Sequence, residues 1–201
     1  VTGAMAVAFA FGADAGVSLS VGVAQADNAI ANQIESSVAN VDQITATMGG
    51  IRLTAAETAS IKATTYAVSA AIAAAPAGVA ISGGVTTAKN TLNNSVLAFI
   101  EDSSNVQSAL GVFISAMDTS TISADTKSLA LAAGVVGVAV GASTGDNRIS
   151  DTVTVHLARS GVTANNGGIG VTSVSNPTIN TDSVVAAISA AIGAAGAGAD
   201  G

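Results

Sequence analysis

The 201-residue chain contains no cysteine and no tryptophan. The first absence excludes thiol nucleophiles, cysteine-based zinc sites and disulfide staples. Aromatic residues make up 2% of the chain, too few to build the stacking platforms that hold single-stranded nucleic acid. Arg52, Lys62, Lys89, Lys127, Arg148 and Arg159 are the whole cationic stock, and they stand singly against 13 Asp and Glu. A net charge of −7 with no basic cluster argues against nucleic acid as a partner, because counterion release needs several clustered cations. Charged residues total 9%, where a globular domain carries about 25%. Histidine occurs once, at His156; nothing in the sequence marks a Ser as its triad partner, and a multi-His metal site is not available.

What is abundant is small and apolar. Hydrophobic residues reach 49%, nearly all Ala, Val, Ile and Leu, and the mean hydropathy is +0.60. Side chains of this size fill a thin core, which points to an elongated body. The most apolar window, Ala67 to Val85, is mostly Ala and Gly and is interrupted by Pro76, so no membrane span is expected there. No basic segment precedes an apolar one near Val1. The expectation is that a leader was removed or that the chain is an interior piece of a longer one.

The chain repeats itself. Gly16 to Val23, followed by Asn28, Ile30, Asn32 and Ile34, matches Gly78 to Val85, followed by Asn90, Leu92, Asn94 and Val96, at a constant offset of 62 residues. A third copy, through Val136, Val138, Asn147, Ile149, Asp151 and Val153, follows at an offset of 57. A second block, Glu57 to Ala63, resembles Asp125 to Leu131 at an offset of 68, and its third copy is degenerate around Asn176 to Ile179. Fixed segments joined by loops of variable length are the mark of stacked supersecondary units.

Within each repeat the pattern has period 2, as in half-buried strands. Val17, Leu19, Val21 and Val23 alternate with Ser18, Ser20 and Gly22 and are expected to form the buried face; Val96, Ala98 and Ile100 match Val153, Val155 and Leu157. The expectation is an all-β chain, a β-solenoid of roughly 60-residue repeats with about three coils each. At about 4.8 Å per coil this makes a rod on the order of 50 Å long. The chain reads as one repeat-built domain over 1–201, with approximate repeats 15–75, 76–133 and 134–201. A helical reading competes over Ala67–Ala75 and Ala186–Ala199, since Ala is the best helix former. Gly193, Gly196 and Gly198 oppose it in the second stretch, and alternation of Tyr66, Val68, Ala70 and Ile72 favours strand in the first.

These residues carry a resemblance. The runs Gly16–Val23 with Asn28–Ile34, and Gly78–Val85 with Asn90–Ile100, are similar to the repeat arrays of giant secreted bacterial adhesins of the filamentous-haemagglutinin-like and leukotoxin-like kind. Glu101–Ser104 resembles the acidic turn of such arrays, and Thr121–Thr126 the later strand. The resemblance implies a β-helical shaft, export to the cell surface, and adhesion or matrix building. It implies no catalytic residues.

No constellation for chemistry emerges. His156 lies between Val155 and Leu157, opposite the expected buried face, and reads as a surface side chain. Asp146, Asn147 and Asp151 supply oxygen but not with the spacing of a known calcium loop, and the recurring Asn suggests a ladder between coils or a turn. Glu101 and Asp102 are adjacent and read as a solvated turn. Gly167, Gly168 and Gly170 lack the Gly-Lys-Ser/Thr of a phosphate loop. Thr45–Thr47 and Thr119–Thr121 are too few for an ice-binding array. Catalytic, cofactor and metal residues are therefore expected to be none, and an enzyme is not expected.

The expected function is a structural subunit or shaft segment of an extracellular bacterial fibre or surface adhesin. It would polymerise by end-to-end or lateral burial of apolar strands, such as the uncharged stretches Val1–Phe11 and Ala186–Ala199. Self-association into filaments is the expected partnership, with cell-surface or matrix components as further partners. The alternative is an adhesin module that binds a ligand through loops such as Ala164–Asn176.

Overall fold

The structure is a computed structural model that describes residues 1–191 and 197–200. All its regular elements are strands. The first pass of the chain runs β1 (Thr2–Phe11), β2 (Ala15–Ile30), β3 (Gln33–Ala39), β4 (Ile44–Ala46) and β5 (Ile51–Glu57). The second runs β6 (Ser60–Ala74), β7 (Ala77–Leu92), β8 (Ser95–Glu101), β9 (Val106–Ser108) and β10 (Val112–Asp118). The third runs β11 (Thr121–Gly134), β12 (Val136–Ile149), β13 (Thr152–Ala158), β14 (Val162–Ala164) and β15 (Ile169–Ser175), and β16 (Thr178–Ala191) and β17 (Ala197–Asp200) begin a fourth.

Each strand pairs in parallel with its counterpart one pass away. Five sheets result, ordered β1-β6-β11-β16, β2-β7-β12-β17, β3-β8-β13, β4-β9-β14 and β5-β10-β15. This is an all-β stack of parallel strands, compatible with a β-solenoid. The repeat is one coil, not three. Ala15 pairs with Ala77, and Val79 with Val136, so the chain returns to its own register after 62 and then 57 residues. The reason is the length of the strands: β6 and β7 hold 15 and 16 residues, so two of them already exceed a 20-residue coil. A stack four strands deep is about 15 Å high, well short of the 50 Å expected.

Two other expectations on register are corrected. The Glu57 block does not stack on Asp125: Glu57 pairs with Asp118 and Thr64 with Asp125, an offset of 61. The degenerate third copy keeps its place, with Val112 on Ile169 and Thr121 on Thr178. Of the stretches with a helical alternative, Ala67–Ala74 lies in β6 and Ala186–Ala191 in β16; Gly193 and Gly196 lie outside the described residues.

Each coil has a wide lobe and a flat arm. Leu53, Val96, Ile100, Val106, Val112 and Ile114 fill the lobe, enclosed by the three short sheets. At one lobe corner Asn40, Asp102 and Arg159 all have positive φ and stack at the same offsets of 62 and 57. Asn and Asp tolerate this conformation; Arg159 does so while its guanidinium grips Glu101 and Asp102 of the coil below. The two long sheets face each other as the arm, which turns back at Gly12–Asp14, Ala75–Pro76 and Val135.

Candidate interaction surface

The interior of the arm is built from small residues. Ala71, Ala73, Ala80, Ala130, Ala132 and Ala139 meet there. Ser69 and Ser82 touch hydroxyl to hydroxyl at 2.7 Å across it, Ser128 donates to the Gly84 carbonyl at 2.6 Å, and Ser18 to the Ala8 carbonyl at 2.9 Å. A Cβ on Gly22 would stand 2.9 Å from the Val68 carbonyl oxygen. Such close approach leaves no room for Val or Leu, whose sheets pack about 10 Å apart.

The period-2 rule then sends the large side chains outward. Ser18 and Ser20 are buried, whereas Val17, Leu19, Val21 and Val23 are exposed. This reverses the face expected of β2. The cause is the partner sheet, which offers only Ala4, Ala6, Ala8 and Ala10 from β1 and Ala67, Ser69, Ala71 and Ala73 from β6. In the lobe, by contrast, Val96, Ala98 and Ile100 are fully buried as expected.

Both outer faces of the arm are consequently apolar. On one, Met5, Val7, Phe9 and Phe11 of β1 adjoin Val68, Ala70, Ile72 and Ala74 of β6, with Leu129 and Leu131 of β11 and Ile188 of β16 beyond. Met5 is 80% exposed and Phe11 78%. A shallow depression of about 260 Å³ lies on this face, lined by Tyr66, Val68, Lys127, Leu129, Val184 and Ala186. On the other face, columns Val17–Val79–Val136 and Leu19–Ile81–Val138 run along the stack. Apart from Asp14 in the turn at the tip and Asp200 on β17, charge is gathered at the root of the arm. There Lys127 reaches Asp125 at 2.8 Å and lies 5.7 Å from the Tyr66 ring centre, and Asp27, Lys89 and Asp146 share one column of the opposite sheet. The Asp125 hydrogen bond raises the Lys127 pKa.

Polar ladders cross the coils below this root. Asn28 donates to Asn90, Asn90 to Asn147 and Asn147 to the Thr181 hydroxyl, at 2.8, 2.7 and 2.7 Å. The Asn ladder read from the sequence is thus present. At the neck between arm and lobe, the Asn94 amide donates to Asp151 at 2.6 Å, and Asn32 and Asn94 reach Glu57 and Ser120. Asp118 is fully buried; one of its oxygens accepts from Ser120 and the other has no partner. Burial, and secondarily the Asp118 charge, raise the Asp151 pKa against the pull of the Asn94 backbone hydrogen bond.

The sequence candidates are scattered by this arrangement. Asn147 lies in the ladder, Asp146 points to the outer face, and Asp151 belongs to the neck. Among the described residues no three His, Asp or Glu are placed to hold a metal ion. His156 stacks on Phe99 with ring centres 4.8 Å apart, and its Nε2 stands 3.5 Å from Glu101. Glu101 ends β8 and Asp102 sits in the positive-φ corner, where the Arg159 hydrogen bond lowers the Asp102 pKa. Thr45 and Thr121 belong to different sheets. The expected binding loop Ala164–Asn176 is mostly strand: β15 takes Ile169–Ser175, and the turn is Asn165–Gly168. No helix among the described residues is long and apolar enough to cross a membrane. No protein-family model matches the chain, and neither a curated protein nor a solved structure is similar to it.

Proposed function

We propose that this chain is a structural segment of an extracellular bacterial fibre or surface adhesin, with a scaffolding and not a catalytic task. Its units join by burying apolar strands end to end or side to side. The observation that carries this reading is the stack of in-register coils whose outer strands keep an unpaired edge. Strands β1 to β5 are paired on one side only, and so are β13 to β15. A parallel edge of this kind is a template for another coil, because its free N–H and C=O groups match those of the strand already paired. The resemblance to adhesin repeat arrays adds the extracellular setting. The turn Asn165–Gly168 is short for a ligand-binding loop, which makes the scaffold the better-supported role. Cryo-electron microscopy of the full chain tests the proposal: filaments with an axial spacing of about 4.8 Å support it. Discrete particles at every concentration refute it.

A further inference from the structure

The arm's exterior identifies the partner that such a scaffold would take. We propose that copies of this chain pack arm against arm, the apolar outer face of one long sheet lying on that of a second copy. The proposal rests on the fibre reading and specifies its lateral contact.

Three observations point to a second copy. The first is area. Met5, Val7, Phe9, Phe11, Ile72 and Ile188 are all more than a third exposed, and half-buried Val68, Leu129 and Leu131 lie between them. With large side chains presenting roughly 150–200 Å² each, this face offers on the order of 700 Å² of contiguous apolar surface. The largest patch on an ordinary monomer is about 300–600 Å², and a stable interface needs about 800 Å² from each partner. The second is shape. Both faces are regular parallel sheets with side-chain columns along the stack, and such columns interdigitate with those of another sheet about 10 Å away. The third is the position of charge. Lys62, Lys89, Asp125, Lys127, Asp146 and Arg148 gather at the root and Asp14 stands in the tip turn, so two arms can overlap between these ends without desolvating the Lys127–Asp125 ion pair.

An acyl chain is a less fitting occupant. The edges of β1, β2 and β16 would leave unpaired N–H and C=O groups in hydrocarbon, at several kcal/mol for each. Because one arm carries apolar surface on opposite sides, covering one face leaves the other free. Growth by this contact is therefore open-ended, and layers of arms form instead of closed dimers.

The test compares the full chain with two outward-facing variants, Met5→Lys with Phe9→Lys and Leu19→Lys with Val21→Lys. Sedimentation velocity across a concentration series is expected to show self-association of the wild type, weakened at least tenfold in both variants while circular dichroism stays unchanged. A single Leu129→Cys variant should form inter-chain disulfides under oxidation, and Gln43→Cys, on the lobe, should not. A wild type that stays monomeric overturns the inference. So does flotation with phosphatidylcholine vesicles without self-association in their absence. If filaments with the axial spacing persist at unchanged width in the Lys variants, arm packing is wrong and the end-to-end fibre stands. If arm-dependent association occurs without that spacing, arm packing stands and the fibre reading falls.

Discussion

Replacing Asn90 by Ala tests the stacked register at its most buried polar point. Asn90 is fully buried; its carboxamide oxygen accepts from Asn28 at 2.8 Å and its nitrogen donates to Asn147 at 2.7 Å. Truncation removes both bonds. Asn28 is exposed and regains water, so that half of the loss is on the order of 1 kcal/mol. Asn147 is half-buried and loses its donor with less access to solvent, which costs about 1–3 kcal/mol. The expected total is roughly 2–4 kcal/mol, or a urea midpoint lowered by about 1 M or more. Asn28→Ala, at the open end of the ladder, is expected to cost less than about 1 kcal/mol. Equilibrium urea unfolding followed by circular dichroism measures both. Equal and small losses for the two variants would mean that Asn90 is not held between coils, and the one-coil register would be wrong.

Three further outcomes follow from the same geometry. A Ser69→Cys, Ser82→Cys double variant should oxidise to an intramolecular disulfide, read as the loss of two hydrogens in the intact mass, because these hydroxyls touch at 2.7 Å; failure to close would refute the inward placement of the serines. Gly84→Ala should cost about 1–3 kcal/mol in thermal or urea unfolding, since its Cβ would stand 2.7 Å from Ser128 Oγ and 3.1 Å from the Leu129 carbonyl; Gly49→Ala, with nothing within 4 Å, should stay within about 0.5 kcal/mol. Asp151 has its pKa raised in the folded chain, so its carboxyl destabilises the fold increasingly as pH rises from its ordinary value of 3.8 through the folded value. Asp151→Asn, facing Asp118 and Asn94, should therefore be more stable than wild type at pH 7 and equal to it near pH 3, as urea titrations at the two pH values would show.

Strand type, repeat offset and the Asn ladder were legible because they depend on local spacing. Asn28, Asn90 and Asn147 recur at offsets of 62 and 57, and those offsets are the strand registers themselves. The number of coils per repeat was not legible, since the 16-residue strand β7 runs unbroken through Gly83-Gly84 and Asn90, residues that locally signal a turn. The face of β2 was misread for a deeper reason. Alternation of Val17, Leu19 and Val21 with serines says that two faces differ, and hydrophobicity then assigns the larger residues to the inside. That assignment holds in the lobe, where Val96 and Ile100 meet Val106 and Ile114. In the arm the opposing sheet decides, and the signal lay in its uniform smallness: Ala4, Ala6, Ala8 and Ala10 facing Ser18 and Ser20. The neck was missed because Glu57, Asp118 and Asp151 come from two different corners that only the coil brings together.

The reversed arm also bears on how the fold is held. Apart from Ile61, Leu92 and Ile122 at its root, its buried side chains are mostly Ala, Ser and Gly, which remove little apolar area from water, while many of the Val, Leu, Ile and Phe residues that would contribute about 1.5–3 kcal/mol each on full burial face outward. Within one copy, the arm depends on parallel backbone pairing, on the cross-arm hydroxyl contacts and on its junction with the Val- and Ile-filled lobe. For these outward side chains, a hydrophobic contribution would come from contact between molecules, as in the arm-against-arm packing proposed above. Assembly and folding are then linked, because any contact that covers the outer faces stabilises the arm by mass action. In the proposed arm-against-arm contact, these outward side chains would form a core between copies that neither copy has alone.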